Sequence, residues 1–174
     1  MNETLTTLKT RRSIRRYRPE QVRPETLDTI LEAGTYAPSG MGKQSAVMVV
    51  VQKPDTIALL SRLNAEIQGR PGTDPFYGAP TVVVVLADGE NYNWMRDGAL
   101  VMGNLMNAAW SLGVGSCWIN QLYRTREDRE VQEKLAEIGV TPEEMPVAAL
   151  ALGWPAVDFP GPREKTGNLV SWVR

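Results

Sequence analysis

Residues Thr10 to Arg18 read T-R-R-S-I-R-R-Y-R, and no other stretch of the chain concentrates charge and hydrogen-bond donors so densely. Arg11, Arg12, Ser13 and Arg15 place guanidinium forks and a hydroxyl within one short segment, a combination suited to planar or tetrahedral anions such as carboxylate and phosphate. Taken alone, such a run reads first as a solvated face, with a surface patch for nucleic acid as another reading. A second candidate is the loop Ala37-Pro38-Ser39-Gly40-Met41-Gly42-Lys43-Gln44, whose proline and glycines exclude regular structure and let the backbone approach a ligand; its plain alternative is a connection into the next strand. A third is the turn Gly113-Val114-Gly115-Ser116-Cys117-Trp118-Ile119.

What the chain lacks narrows the chemistry further. It contains no histidine, so a Ser-His-Asp or Cys-His nucleophile pair, an imidazole base and a histidine metal ligand are all excluded. If the protein is an enzyme, a cofactor carries the reaction while the chain supplies position and electrostatics. No metal site is expected. The single cysteine, Cys117, permits no intramolecular disulfide and reads as a core residue, dispensable for chemistry.

With 19 basic and 20 acidic residues in 174, the net charge of -1 disfavours general nucleic-acid binding. The length fits one domain with a sizeable core. No apolar window approaches a membrane span and the first residues are polar, so a cytoplasmic protein without membrane attachment is expected.

The elements that must position these residues follow from periodicity. A short amphipathic helix over Glu3 to Thr10 delivers the chain to Arg11. Pro24 opens a second helix, with Leu27, Ile30 and Leu31 on its apolar stripe and its end near Gly34. Val47 to Val51 reads as a strand, and Asp55 as the cap of a helix reaching about Gln68, with Gly69 to Gly78 irregular. Thr81 to Leu86 is apolar and β-branched without alternation, as expected of a central strand covered on both faces. Asn93 to Leu112 is apolar around nearly its whole helical circumference, which points to a subunit interface. A short strand ends at Ile119, a charged helix runs from the Thr125–Asp128 box to Gly139, and Val147 to Leu152 forms the last strand. The tail, strand-like over Leu169 to Val173, reads as an arm that lies on another surface. The dinucleotide fingerprint Gly-x-Gly-x-x-Gly and the Walker A motif are both absent.

Taken in order, Arg11-Arg12-Ser13-Ile14-Arg15, Ala37-Pro38-Ser39-Gly40, Phe76-Tyr77-Gly78-Ala79-Pro80 and Asp97 with the helix leading to Gly113–Ile119 resemble the nitroreductase family of FMN-dependent oxidoreductases over nearly the whole chain. The resemblance implies an α+β fold, a three-layer α/β/α sandwich with a central mixed sheet, as one domain over 1–174 with 156–174 as a C-terminal arm. It implies an intertwined homodimer with FMN at the subunit interface and NADH or NADPH as donor. A small electron-poor acceptor, a nitroaromatic or quinone, would be reduced by a ping-pong mechanism. Alternatives are a flavin reductase or dehydrogenase with a specific non-nitro substrate, and a slow or non-catalytic flavin-sequestering protein.

By the same resemblance, Arg11, Arg12 and Ser13 would bind phosphate and ribityl oxygens, and Arg15 would lie near flavin N1 and O2. No side chain is implied as an acid, base or nucleophile. Pro38, Ser39, Gly40 and Gln44 would come from the partner subunit. Here Gly42 replaces a common Asn, and Gln44-Ser45-Ala46 replaces Gln-Pro-Trp. Trp118, Ile119, Asn120 and Gln121 would run past the ring and offer a backbone N–H to N5. Arg163 and Lys165 would add phosphate contacts, and Phe76 and Tyr77 would form a substrate-pocket wall, with a hydrophobic lead-in to the strand as the other reading.

Overall fold

The valine run decides the architecture, because β-branched side chains favour extended chain and its lack of alternation demands apolar cover on both faces. The computed structural model describes residues 2–127, 129–137, 140–141, 143–162, 164–167 and 170–173. Its elements are α1 (Glu3–Thr10), α2 (Pro24–Thr35), β1 (Ala46–Val51), α3 (Pro54–Ile67), β2 (Thr81–Asp88), α4 (Trp94–Ser111), β3 (Gly115–Ile119), a 3₁₀ segment (Asn120–Glu127), α5 (Arg129–Glu137) and β4 (Glu144–Gly153). Residues Val82 to Ala87 of β2 are all fully buried. Val82, Val84 and Leu86 face a core closed by α3, the 3₁₀ segment and α5, through Leu60, Leu63, Leu122 and Leu135. Val83, Val85 and Ala87 face a second core closed by α2 and α4, through Leu27, Ile30, Met102 and Leu105. The three expected layers are therefore present.

The strand order is β1-β2-β4-β3, and every described pair is antiparallel, where a mixed sheet was expected. The reason lies in β4. The connection from β2 through α4 to β3 leaves those two strands running the same way, and β4 occupies the slot between them, so no parallel pair forms.

Local chemistry sets the ends of the helices. Asn2 Oδ1 accepts from the N–H of Leu5 at 2.9 Å and starts α1, which stops where Arg11 turns extended. Pro24 and Pro54 stand in the first turns of α2 and α3; Lys53, not Asp55, occupies the cap position of α3. Gly34 lets α2 approach α4 closely, since a Cβ there would lie 2.8 Å from Leu105 Cδ2. α4 buries Gly98, Val101, Met102, Leu105 and Ala109, while Leu100 on its opposite side is exposed.

Asp128 and Gly139, the expected box residue and stop of the charged helix, lie outside the described residues, as do Arg163 and Leu169. The expected tail strand is not formed over Val170–Val173, which run along no sheet edge and expose Val170, Trp172 and Val173. Among the described residues no helix is long and apolar enough to cross a membrane.

Candidate functional site

The end of α1 hands the chain to an extended segment pinned along the β3–β4 side of the sheet. Ile14 N–H donates to Ser116 O at 2.9 Å, and Arg18 N–H donates to Trp154 O at 2.8 Å. The Tyr17 hydroxyl donates toward Ile14 O at 2.6 Å and lies 3.3 Å from Ala151 O. Ile14 is buried against Gly115, where a Cβ would come within 2.9 Å of Ile14 Cγ2. The basic segment is thus fixed by backbone contacts that do not occupy its guanidinium groups.

Those groups are poorly matched by the protein itself. Arg12 Nη1 donates to Lys9 O at 3.0 Å. Arg11 Nη1 and Arg12 Nε and Nη2 are buried without a hydrogen-bond partner, and so is Gln121 Oε1, just beyond β3. Buried unpaired guanidinium nitrogens are costly, and three of them in adjacent residues form a donor set whose chemistry suits an anion. A phosphate-bearing cofactor fits this donor set.

Burial pushes the Cys117 thiol above its ordinary pKa, and the nearby Arg15 charge and Ser13 hydroxyl pull it back. Cys117 is accordingly a buried support for the basic segment as well as a core residue. The Arg15 guanidinium stands 5.9 Å above the Tyr77 ring. Tyr77 is half-exposed and has the left-handed φ of 58°.

Phe76, by contrast, is 0% exposed and sits in the core beneath β2. This corrects its expected place in a pocket wall. The turn at Asp74 drives consecutive side chains to opposite sides, Phe76 inward and Tyr77 outward. The hydrophobic lead-in is the reading that holds for Phe76.

Trp118 is half-buried on the α4 side of the sheet and its indole N–H donates to Asn120 Oδ1 at 3.0 Å. Ile119 buries its side chain in the opposite core, so its backbone alone is available to a ligand. Gln121 brings its unpartnered oxygen to the same end of β3.

The Ser39 loop is built separately. Ser39 Oγ accepts from the N–H of Gln44 at 2.9 Å, and Gly40 N–H donates to Asp97 Oδ1 at 2.9 Å. Asp97 is 3% exposed and also accepts from Asn91 Nδ2 at 3.1 Å. Pro38, Ser39, Gln44 and Asp97 line a groove of about 710 Å³. Asp97 is a site-building residue whose role spacing alone did not reveal; the available signal was a carboxylate in the first turn of an otherwise apolar helix.

The two halves do not meet within one chain. The Ser39 loop hangs from Asp97 near the start of α4, whereas the basic segment begins at Thr10, whose Oγ1 accepts from the Trp110 indole N–H at 3.0 Å near its end. Thirteen helical residues separate Asp97 from Trp110, about 20 Å at ~1.5 Å per residue. The tail crosses the second half, with Phe159 4.1 Å from Trp110 between ring centroids; Lys165 beyond it is exposed. Among the described residues no group of histidine, cysteine, aspartate or glutamate side chains could hold a metal ion.

An antiparallel sheet between two helical layers, with an arginine segment laid against its edge and buried guanidinium nitrogens that no protein group accepts from, defines the class. The sequence model of the nitroreductase family matches residues 8–154, and the chain belongs to that family. A nitroreductase with bound FMN from Bacteroides fragilis is similar to it with a TM-score of 0.90 and 34% identity over 100% of both chains. An FMN-dependent nitroreductase from Clostridium difficile R20291 is similar with a TM-score of 0.85 and 26% identity over 99% of both chains. An FMN reductase [NAD(P)H] of Bacillus subtilis is 29% identical over 90% of this chain and 67% of its own length.

Proposed function

We propose that the protein is an FMN-dependent NAD(P)H oxidoreductase that works as a homodimer. The observation that carries this reading is the trio of buried, unpartnered donors on Arg11 and Arg12. They and Ser13 would hold the phosphate and ribityl oxygens, with Lys165 and Arg163 of the arm as further phosphate ligands. Arg15 would set positive charge against the N1 and O2 edge of the ring, and the backbone at Ile119, Asn120 and Gln121 would face N5. Trp118 would flank the ring, and Tyr77 would border the space for the second substrate.

The chemistry supplied by FMN when bound is two-electron hydride transfer, from NAD(P)H in one half-reaction and to a nitroaromatic, quinone or similar acceptor in the other. The chain's part is to bind, orient and bias. A fixed guanidinium at Arg15 favours the charge that reduction places at the pyrimidine edge. No residue need donate or take a proton at a reacting atom, in keeping with a sequence without histidine.

The dimer follows from the gap of about 20 Å along α4 between the two half-sites. A second copy packed on the exposed Leu100 side of α4 would bring its own Pro38, Ser39, Gly40 and Gln44 over the basic segment. We further assign residues 1–174 to one domain, with 156–174 as an arm embracing the partner, and place the protein in the cytoplasm.

A single preparation tests the reading. The purified protein should be yellow or take up added FMN, and anaerobic NADH or NADPH should bleach the flavin band, with a quinone restoring it. Colourless protein that ignores added FMN overturns the cofactor assignment. Yellow protein that neither nucleotide reduces would be a flavin-sequestering protein instead.

A further inference from the structure

We propose that Tyr77 is the positioning residue for Arg15, its ring holding the guanidinium where it acts on bound flavin; this rests on the FMN reading above. Arginine has many rotamers, and Arg15 is exposed along most of its length. Among the described residues the groups acting on its charge are Cys117, Tyr77 and Tyr17, none of them a carboxylate. No ion pair therefore fixes the guanidinium or neutralises it. What faces it on the outer side is Tyr77, whose ring lies 5.9 Å from the guanidinium carbon, while the Cys117 thiol of the sheet acts on its charge from the other.

The backbone at Tyr77 is arranged for this purpose. Its φ of 58° is one that a bulky L-residue rarely adopts, and Gly78 follows at 70°. Asp74 enforces the turn. One carboxylate oxygen accepts from Phe76 N–H at 2.9 Å and Ser61 Oγ at 2.6 Å, and the other accepts from Gly78 N–H at 2.6 Å. Tyr77 N–H itself donates to Asp74 O at 3.2 Å, and buried Phe76 anchors the turn from within. A large aromatic is thus kept in an unfavourable conformation, 40% exposed, against the one arginine of the segment that faces it. A side chain needed only for packing would gain nothing from that placement.

The strain makes the test clean. Glycine accepts this φ, so Tyr77→Gly removes the side chain without distorting the turn, and its thermal midpoint should equal or exceed that of the wild type. In the FMN-loaded protein, Tyr77→Gly should shift the two-electron equilibrium about tenfold toward oxidised flavin, a fall of about 30 mV in potential. Tyr77→Phe, which keeps the ring, should stay near the wild-type potential. In an Arg15→Ala background, Tyr77→Gly should change the potential no further, since its effect passes through the guanidinium. An unchanged potential in Tyr77→Gly overturns the proposal, and so does an equal shift with and without Arg15. Wild-type protein that binds no FMN overturns the parent reading, and the proposal falls with it.

Discussion

The backbone N–H of Gly40 donates to the Asp97 carboxylate at 2.9 Å, tying the tip of the Pro38-Ser39-Gly40 loop to the first turn of α4. The carboxylate is buried and takes its second hydrogen bond from Asn91, whose amide also donates to Ser45 Oγ at 2.8 Å. One acid therefore organises both ends of a loop that has no regular structure of its own. Asp97→Ala leaves buried donors unpaired, at a cost of about 1–3 kcal/mol. Its thermal midpoint should fall by several degrees in a denaturation scan, with Asp97→Asn falling less because one acceptor survives.

Arg11→Ala should weaken FMN retention about tenfold to a hundredfold, the range expected for a charge-assisted hydrogen bond of about 1.5–3 kcal/mol. Stability of the apoprotein should hardly change, because the lost Nη1 has no protein partner. Fluorescence titration with FMN at two salt concentrations checks both the loss and its electrostatic origin.

Gly115→Ala acts on the same segment from beneath. The new methyl would lie 2.9 Å from Ile14 Cγ2 and 3.0 Å from its Cβ, so Ile14 must move off β3 and take Arg12, Ser13 and Arg15 with it. Overpacking of this kind costs about 1–3 kcal/mol. Both the unfolding midpoint and FMN affinity should drop, whereas Arg11→Ala affects affinity alone.

Alkaline pH should destabilise the fold. Burial raises both the Tyr17 phenol and the Cys117 thiol above their ordinary values. In the unfolded chain the thiol ionises near about 8.5 and the phenol near about 10. Above those pH values the unfolded state binds fewer protons than the native state, and stability falls as pH rises. Tyr17→Phe should flatten the decline above about pH 10 while lowering stability near neutrality, since Ile14 O loses its 2.6 Å partner. Thermal scans from neutral to strongly alkaline buffer measure both effects.

Leu100→Arg places charge on the exposed face of α4. Sedimentation velocity should show the wild type as a dimer and the variant as a monomer, with FMN released in parallel. A dimeric, FMN-replete variant would remove α4 from the interface.

Much of this fold is legible in the sequence because its periodicities are strong. The helix over Glu3–Thr10 ends where read, and the unbroken valines lie in a strand buried on both faces. The antiparallel sheet is not legible, since nothing local to Glu144–Gly153 says that it inserts between two earlier strands. In the site, the arginine run is visible as composition, but whether its donors are already satisfied depends on Lys9, Arg11 and the buried nitrogens around them. Phe76 and Tyr77 show the limit most plainly: adjacent aromatics, indistinguishable by type, are sent into the core and onto Arg15 by a turn that Asp74 sets through space.

The insertion of β4 between β2 and β3 also governs when the molecule can come into being. Among the described residues β3 pairs with β4 alone, and Tyr17 and Arg18 bond to residues 151–155, so the basic segment waits for a strand that follows it far along the chain. A chain that lacks β4 leaves one further edge open on β2 and one on β3, and has no assembled basic segment. Assembly of the basic segment must therefore await β4, and chains cut short of β4 are candidates for aggregation rather than for partial activity.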